Sequence, residues 1–96
     1  MLYFRKRLRL RKSDTILVTC NIPCIIYLMT DGNFNKFKNG KPCHRHAGGL
    51  CNSFPVRLKP PSTGNWSIVI TAGIDFLKLR HTITVEPARP LEPGAD

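Results

Sequence analysis

Acidic side chains are scarce in this chain, and it has no long hydrophobic run. Six Asp and Glu residues stand against fifteen Lys and Arg among 96 residues, so the net charge is +9. No apolar run approaches the roughly 20 residues that span a bilayer, and no apolar segment of the kind found in secretory signals follows the basic N-terminus. We therefore expect a cytoplasmic protein without a transmembrane segment, whose charge attracts anionic partners.

The motifs of the common enzyme classes are also missing. The acidic residues are scattered, so nothing in their spacing indicates a carboxylate pair for general acid–base catalysis. There is no glycine-rich phosphate loop and no nucleophile elbow. A dyad of Cys51 with His44 or His46 would need a pocket and an oriented base, for which so small a domain has little room. We expect a protein that is not an enzyme and has no cofactor.

Alternation of apolar and polar residues dominates the chain, and helical periodicity is scarce. Residues 15–20 and 24–29 are apolar, β-branched runs joined by three residues, which predicts a short hairpin. The pattern predicts a last strand with an inward face made of Leu77, Leu79, His81, Ile83 and Val85. Turns or breaks between strands are indicated at Asp31-Gly32, Asn39-Gly40 and Gly48-Gly49.

These patterns predict an all-β fold, either a small antiparallel β-sandwich or a partly open barrel of about seven or eight short strands. The chain is long enough for one hydrophobic core, which we place in a single domain over residues 1–86. Residues 87–96 contain three prolines, so we predict a flexible tail or the start of a linker.

The cysteines and histidines allow two interpretations. At the end of a hairpin, Cys20 and Cys24 would face each other with Cβ atoms roughly 4.5–5.5 Å apart, as two reduced core thiols. An extended backbone over residues 43–46 would place His44 and His46 on one face. The alternative is a zinc site composed of Cys20, Cys24, His44 and His46, although the spacing lacks the pairs typical of structural zinc sites.

A row of arginines also allows two interpretations. Arg5, Arg7, Arg9 and Arg11 recur at every second position, so an extended strand would place them on one face at intervals of about 6.6 Å. Such a face can bind the phosphate backbone of a nucleic acid. A charged edge strand that prevents edge-to-edge pairing explains the same row.

Several stretches together resemble a known family. The matching positions are Asp31, Asn33, Phe34, Asn39, Gly40, Gly48, Gly49, Pro55, Val56, Gly64 and Trp66. On these residues the chain resembles a small bacterial family, domain of unknown function 1883, over nearly all of residues 1–86. The resemblance implies a compact β-sandwich with no assigned activity. It also implies, by analogy only, a link to signalling or defence, because similar modules stand alone or precede bacterial TIR domains.

We therefore predict a non-enzymatic binding or sensing module for an unidentified protein or small-molecule ligand. Loops on a rigid sandwich commonly carry binding, and loops 30–41 and 43–53 supply the candidate residues Asp31, Asn33, Lys36, Lys38, His44, Arg45 and His46. The first alternative is accessory nucleic-acid binding through Arg5, Arg7, Arg9 and Arg11. The second is zinc binding by the cysteine and histidine set given above.

Overall fold

Two antiparallel sheets pack face to face in the computed structural model, which describes residues 2–87. Within that range the chain forms β1 (Phe4–Leu10), β2 (Thr15–Cys20), β3 (Cys24–Thr30), α1 (Asp31–Lys38), β4 (Ala47–Cys51), β5 (Val56–Leu58), β6 (Gly64–Thr71), a 3-10 helix (Gly73–Lys78) and β7 (His81–Glu86). The larger sheet has the strand order β1-β6-β3-β4 and the smaller one β5-β2-β7. The predicted all-β fold is confirmed, in its sandwich form.

The limits of the predicted domain, residues 1–86, stay a prediction. The predicted tail, 87–96, lies outside the described residues apart from Pro87.

The core between the sheets is built from the inward faces of the strands. Alternation places every second side chain on one face, and the core side chains with the largest volumes include Ile16, Val18, Ile26, Leu28, Trp66, Ile68 and Ile70. The indole N–H of Trp66 donates a hydrogen bond to the Ser62 carbonyl at 2.9 Å, so this buried polar atom has a partner.

The central strand β6 is buried on both faces, which its alternating pattern does not reveal. Val69 points away from the main core and packs with Met29 and Phe34 into a second buried cluster. Helix α1 covers this outer face, and the side chains around the cluster are Tyr3, Tyr27, Phe37 and Cys43. The helix therefore converts the larger sheet into the middle layer of this part of the molecule.

The predicted hairpin of β2 and β3 is wrong. Strand β2 pairs with β5 and β7, whereas β3 pairs with β4 and β6, so the connection at 21–23 crosses from one sheet to the other. Asn21 fixes this crossing: its Nδ2 donates to the Lys78 carbonyl at 2.9 Å and its Oδ1 accepts from the Arg80 N–H at 2.7 Å. Both apolar runs are buried because they face each other across the core.

The turn predicted at Asp31-Gly32 is the first turn of α1. The hydroxyl of Thr30 caps the helix by accepting the Asn33 backbone N–H at 3.2 Å. Asp31 in the first turn and Lys36 and Lys38 in the last turn complement the helix dipole. The apolar face of α1 consists of Phe34 and Phe37 alone, and two apolar positions are too few to reveal a helical pattern in the sequence. Candidate loop 30–41 is therefore mostly helix.

Two further sequence expectations are corrected at the strand ends. Leu77 lies in the 3-10 helix and is 83% exposed, and Val85 in β7 is exposed as well, so neither is inward. Gly48-Gly49 lies inside edge strand β4 instead of breaking the chain. A Cβ atom on Gly48 would overlap the Ile26 carbonyl oxygen, so the close approach of β3 requires glycine here.

Candidate functional site

The arginine row of β1 is divided by helix α1. Arg7 forms an ion pair with Asp31, with Nε–Oδ1 at 3.0 Å and Nη2–Oδ2 at 2.7 Å. The Arg5 guanidinium carbon lies 4.3 Å from the centroid of the Phe34 ring, and its Nε donates to Ser67 Oγ at 3.0 Å. Arg5 and Arg7 therefore hold the helix on the sheet. The hydrogen bond from Arg7 also lowers the pKa of the Asp31 carboxyl from its ordinary value.

Arg9 and Arg11 are different, because their side chains form no hydrogen bond or ion pair with any other part of residues 2–87. Arg9 lies near the end of β1, opposite Asn65 on β6. Arg11 begins the tight turn into β2. The Asp14 carboxylate accepts the Arg11 backbone N–H at 2.7 Å, and the Asp14 N–H returns a bond to the Arg11 carbonyl at 2.9 Å. These bonds hold the turn in one conformation.

An open cavity of about 650 Å³ lies at this turn, lined by Arg11, Lys12, Ser13 and Thr63. Its volume falls in the range of sites that hold small ligands. The Lys12 backbone N–H donates to Thr63 Oγ1 at 2.9 Å, which joins the β1–β2 turn to the turn before β6. The lining offers two permanent cations and two hydroxyl groups. Such a set can bind a phosphate or carboxylate group by charge-assisted hydrogen bonds. We call these four residues the basic cavity.

The sequence predicted only Arg11 of the basic cavity. Lys12, Ser13 and Thr63 were missed because their proximity depends on a pairing between distant strands. Leu10 is the register partner of Gly64, and this pairing brings residues 11–13 beside Thr63. A turn that begins with two cations is a weak signal in the sequence. The cavity forms because Thr63, in the turn before β6, lines its other side.

Asp31 and Asn33, predicted as ligand-binding residues, have structural partners. Asp31 is occupied by Arg7, as described above. Asn33 Nδ2 donates to Thr30 Oγ1 at 3.0 Å, and Asn33 Oδ1 accepts the backbone N–H of His44 at 3.0 Å. The second bond fastens the segment after the helix to the start of the helix. Both residues therefore stabilise the position of α1. Lys36 and Lys38 are exposed on its last turn.

The structure places His44, Arg45 and His46 in the segment between α1 and β4. The two imidazole centroids are 4.4 Å apart, and that of His46 lies 4.8 Å from the Trp66 ring centroid. The Arg45 guanidinium carbon is 4.5 Å from the centroid of Tyr27. Burial, together with the neighbouring His44, lowers the pKa of His46 from its ordinary value. These exposed side chains and the lysines of α1 form a second basic surface.

The predicted zinc ligands are not assembled. Cys20 and Cys24 are buried in the core, where Cys20 is paired with His81 and Cys24 with Cys51. Burial, with further contributions from the nearby Cys20 and Cys51 thiols, raises the pKa of Cys24 to about 12. In the part of the chain that the structure describes, no group of three or more His, Cys, Asp or Glu residues is arranged to hold a metal ion. Cys20 and Cys24 do lie together, but across the core instead of along a hairpin.

The imagined Cys–His dyad is not assembled either. Cys51 ends β4, whereas His46 precedes its first residue, so the two side chains lie at opposite ends of that strand. Burial raises the pKa of the Cys51 thiol, which keeps it protonated and weakly nucleophilic at neutral pH.

Comparison with protein-family models identifies a family. The sequence model of the family described as Domain of unknown function (DUF1883) matches residues 1–87. No curated protein and no solved structure matches the chain. Among residues 2–87, no helix is both long enough and apolar enough to cross a membrane.

Proposed function

The chain belongs to the family described as Domain of unknown function (DUF1883), and from its geometry we propose a non-enzymatic module that binds an anionic group, such as a phosphate, in the basic cavity. The observation that carries the proposal is the joint lining of that cavity by two cations and two hydroxyls. We place the module in the cytoplasm, where its four free thiols stay reduced. A role in bacterial signalling, by analogy with TIR-linked modules, is the context that we propose for it.

The electrostatics of the chain support an anionic ligand. The net charge is +9, and Arg7–Asp31 is the single ion pair formed within residues 2–87, so the other Lys and Arg side chains of that range have no acidic partner there. The nearest carboxylate to the cavity, that of Asp14, is only 7% exposed and accepts the backbone N–H of Arg11. Its hydrogen-bonding capacity is directed into the turn. The cations of the cavity can therefore meet a ligand while their backbone stays fixed.

Binding without catalysis is supported by the state of the groups that could act as nucleophiles or bases. The thiols of Cys24 and Cys51 have raised pKa values, because both are shielded from water. The basic cavity contains no histidine, cysteine or carboxylate in its lining. Its chemistry is that of hydrogen-bond donation to an anion.

Of the four arginines predicted to bind nucleic acid, only the two nearest the basic cavity remain free to do so. Arg5 and Arg7 are engaged with α1, so neutralising all four arginines would loosen the helix as well as remove charge. Arg9 and Arg11 remain, and they lead into the basic cavity. A nucleic acid and a small phosphate ligand are therefore two sources of one chemistry at this end of the molecule.

The surface beside α1 is the second candidate. The Asn33–His44 hydrogen bond favours it, because that bond fastens the segment that carries His44 and Arg45 to the first turn of the helix. This surface keeps Lys36, Lys38, His44, Arg45 and His46 of the predicted loop site, without Asp31 and Asn33.

A titration with matched variants tests the proposal. The probes are a nucleoside triphosphate and labelled single- and double-stranded oligonucleotides, each at low and near-physiological salt. The variant Arg11→Gln/Lys12→Gln removes two charges from the cavity, and Lys36→Gln/Arg45→Gln removes two from the second surface.

We expect the cavity variant to weaken binding at least ~10-fold, which corresponds to about 1.4 kcal/mol, and the other variant to change it little. Which probe binds more tightly distinguishes the small ligand from the nucleic acid. Equal losses in both variants, or binding that vanishes near physiological salt, would mean that the net charge attracts polyanions without a site, and would overturn the proposal.

A further inference from the structure

Exposed hydrophobic side chains are concentrated at one end of the sandwich. Ile74 is 100% exposed, Leu77 83%, Leu50 78% and Leu2 60%, all unusually high values for large aliphatic residues. Val85, the remaining exposed large hydrophobic residue of the described chain, lies near the opposite end on β7. Single exposed aliphatic residues are common, but a group of them marks an interaction surface.

Strand pairing and one hydrogen bond bring these four side chains to the same end. Thr71, the last residue of β6, donates its hydroxyl to the Leu2 carbonyl at 2.7 Å. Across the sheet, Ile25 is the register partner of both Thr71 and Leu50. The 3-10 helix that carries Ile74 and Leu77 begins two residues after Thr71. We call Leu2, Leu50, Ile74 and Leu77 the apolar end.

Cations surround the apolar end. Lys78 closes the 3-10 helix and Arg80 follows it, both exposed. Helix α1 runs with its last turn over Tyr3, as the Tyr3–Phe37 centroid distance of 5.4 Å records. Tyr3, Phe37, Lys38 and Gly40 line one small cavity, which brings Lys38 to this end as well. The one acidic side chain on the 3-10 helix is Asp75, so positive charge is in excess here.

We propose that the apolar end docks on the surface of an anionic lipid bilayer. Ile74 and Leu77 would enter the boundary between headgroups and acyl chains, and Lys38, Lys78 and Arg80 would meet the lipid phosphates. Binding of this kind depends on buried apolar area together with attraction to anionic lipids. The proposal does not depend on the basic cavity, which lies at the opposite end of β1.

The arrangement of charge favours a bilayer over a second copy of the chain. A symmetric dimer through the apolar end would join two identical surfaces that both carry an excess of cations, such as Lys78 and Arg80. An anionic bilayer neutralises them instead. The apolar side chains also come from three separate segments, and the two on the 3-10 helix, Ile74 and Leu77, are highly exposed. A deformable surface accommodates such side chains without a matching groove.

Vesicle binding of the full chain tests the proposal, with phosphatidylcholine vesicles prepared with and without phosphatidylserine. The apolar variant is Ile74→Ser/Leu77→Ser, with Val85→Ser as its matched control. The charge variant is Lys78→Gln/Arg80→Gln, with Arg57→Gln/Lys59→Gln, two exposed cations outside both proposed sites, as its control. All the altered side chains are exposed, so the variants are expected to fold, and the fluorescence of the buried Trp66 reports whether they do.

We expect the wild type to bind vesicles that contain phosphatidylserine. The apolar variant should bind roughly 10-fold more weakly, the charge variant should lose much of its preference for phosphatidylserine, and the two controls should lose less. Wild-type protein that does not bind, or an apolar variant that binds as well as Val85→Ser, overturns the proposal. So does a wild-type dimer that Ile74→Ser/Leu77→Ser dissociates, because the end would then be a self-interface. The soluble phosphate titration is a separate assay, so either proposal can fail without the other.

Discussion

The guanidinium of Arg7 donates two hydrogen bonds to the carboxylate of Asp31, Nε–Oδ1 at 3.0 Å and Nη2–Oδ2 at 2.7 Å. They join edge strand β1 to the first residue of helix α1. The two residues are 24 positions apart in the sequence. Each is about half exposed, so water and salt weaken the pair. Its geometry nevertheless fixes where the helix begins on the sheet, and the Arg5–Phe34 contact continues the same attachment one turn later.

The Arg7–Asp31 pair should give the protein a specific response to acid. Its hydrogen bond lowers the pKa of Asp31 below the ordinary 3.8. A lowered carboxyl pKa contributes stability that is present above the ordinary value and is lost as the pH falls through the folded-state value. We expect the unfolding free energy of the wild type to fall more steeply below about pH 4 than that of Asp31→Asn. Urea titrations followed by Trp66 fluorescence measure this, and identical acid responses in the two proteins would contradict it.

Asn33 should matter for stability although it resembles a ligand-binding residue. Asn33→Ala removes its side-chain bonds to Thr30 and to the His44 N–H, and we expect a loss of about 1 kcal/mol. Asn35→Ala is the matched control, because its side chain is exposed and makes no hydrogen bond with residues 2–87. Hydrogen exchange at the His44 amide should accelerate in Asn33→Ala alone. Equal effects of the two substitutions would refute the structural role.

The two glycines at 32 and 48 should respond to alanine in opposite directions. Gly48 has φ +108° and its Cβ would overlap the Ile26 carbonyl, so Gly48→Ala should cost more than ~2 kcal/mol. Gly32 lies in the first turn of α1 with no atom within 4 Å of the added Cβ. Gly32→Ala should therefore raise stability by roughly 0.5–1 kcal/mol. Chemical denaturation of both variants decides this, and a tolerated Gly48→Ala would show that β4 does not approach β3 so closely.

The four thiols should differ in reactivity in the folded protein. Cys20 and Cys24 are buried, so neither sulfur is accessible, and the pKa of Cys24 is raised to about 12, so little of Cys24 is present as thiolate. Cys43 and Cys51 are half-buried. Under mildly alkaline conditions, maleimide labelling followed by peptide mass spectrometry should therefore mark Cys43 and Cys51 before the other two. In urea beyond the unfolding midpoint the difference should disappear; early labelling of Cys24 in native protein would count against the buried thiol cluster.

The inner faces of the strands could be predicted because alternation is a local signal. Ile16 and Val18 stand at every second position of the run 15–20 and are buried, as that alternation predicts. The outer face of β6 was not predictable in this way. Val69 is buried by a helix that contributes two phenylalanines, and nothing near residue 69 indicates that residues 31–38 lie above it.

The wrong hairpin concerns which strand pairs with which. Cys20 and Cys24 fit the end of a hairpin by local sequence, yet β2 and β3 lie in two different sheets and face each other across the core. The prediction of the candidate site was partly wrong for a related reason, because contacts between distant parts of the chain decide which side chains are free. Arg5 and Arg7 looked like a free row because their partners lie far along the chain, and Thr63 could not be joined to Arg11 without the register of β1 on β6.

The pairing of β1 with β6 also determines when this protein can fold during synthesis. Arg5 contacts Ser67, 62 positions later in the chain, and β1 has no other strand as a neighbour. During synthesis β1 therefore stays unpaired until β6 has been made. Contacts of such long sequence separation slow folding. Charged side chains on an unpaired strand oppose its aggregation, and β1 carries Arg5, Lys6, Arg7 and Arg9.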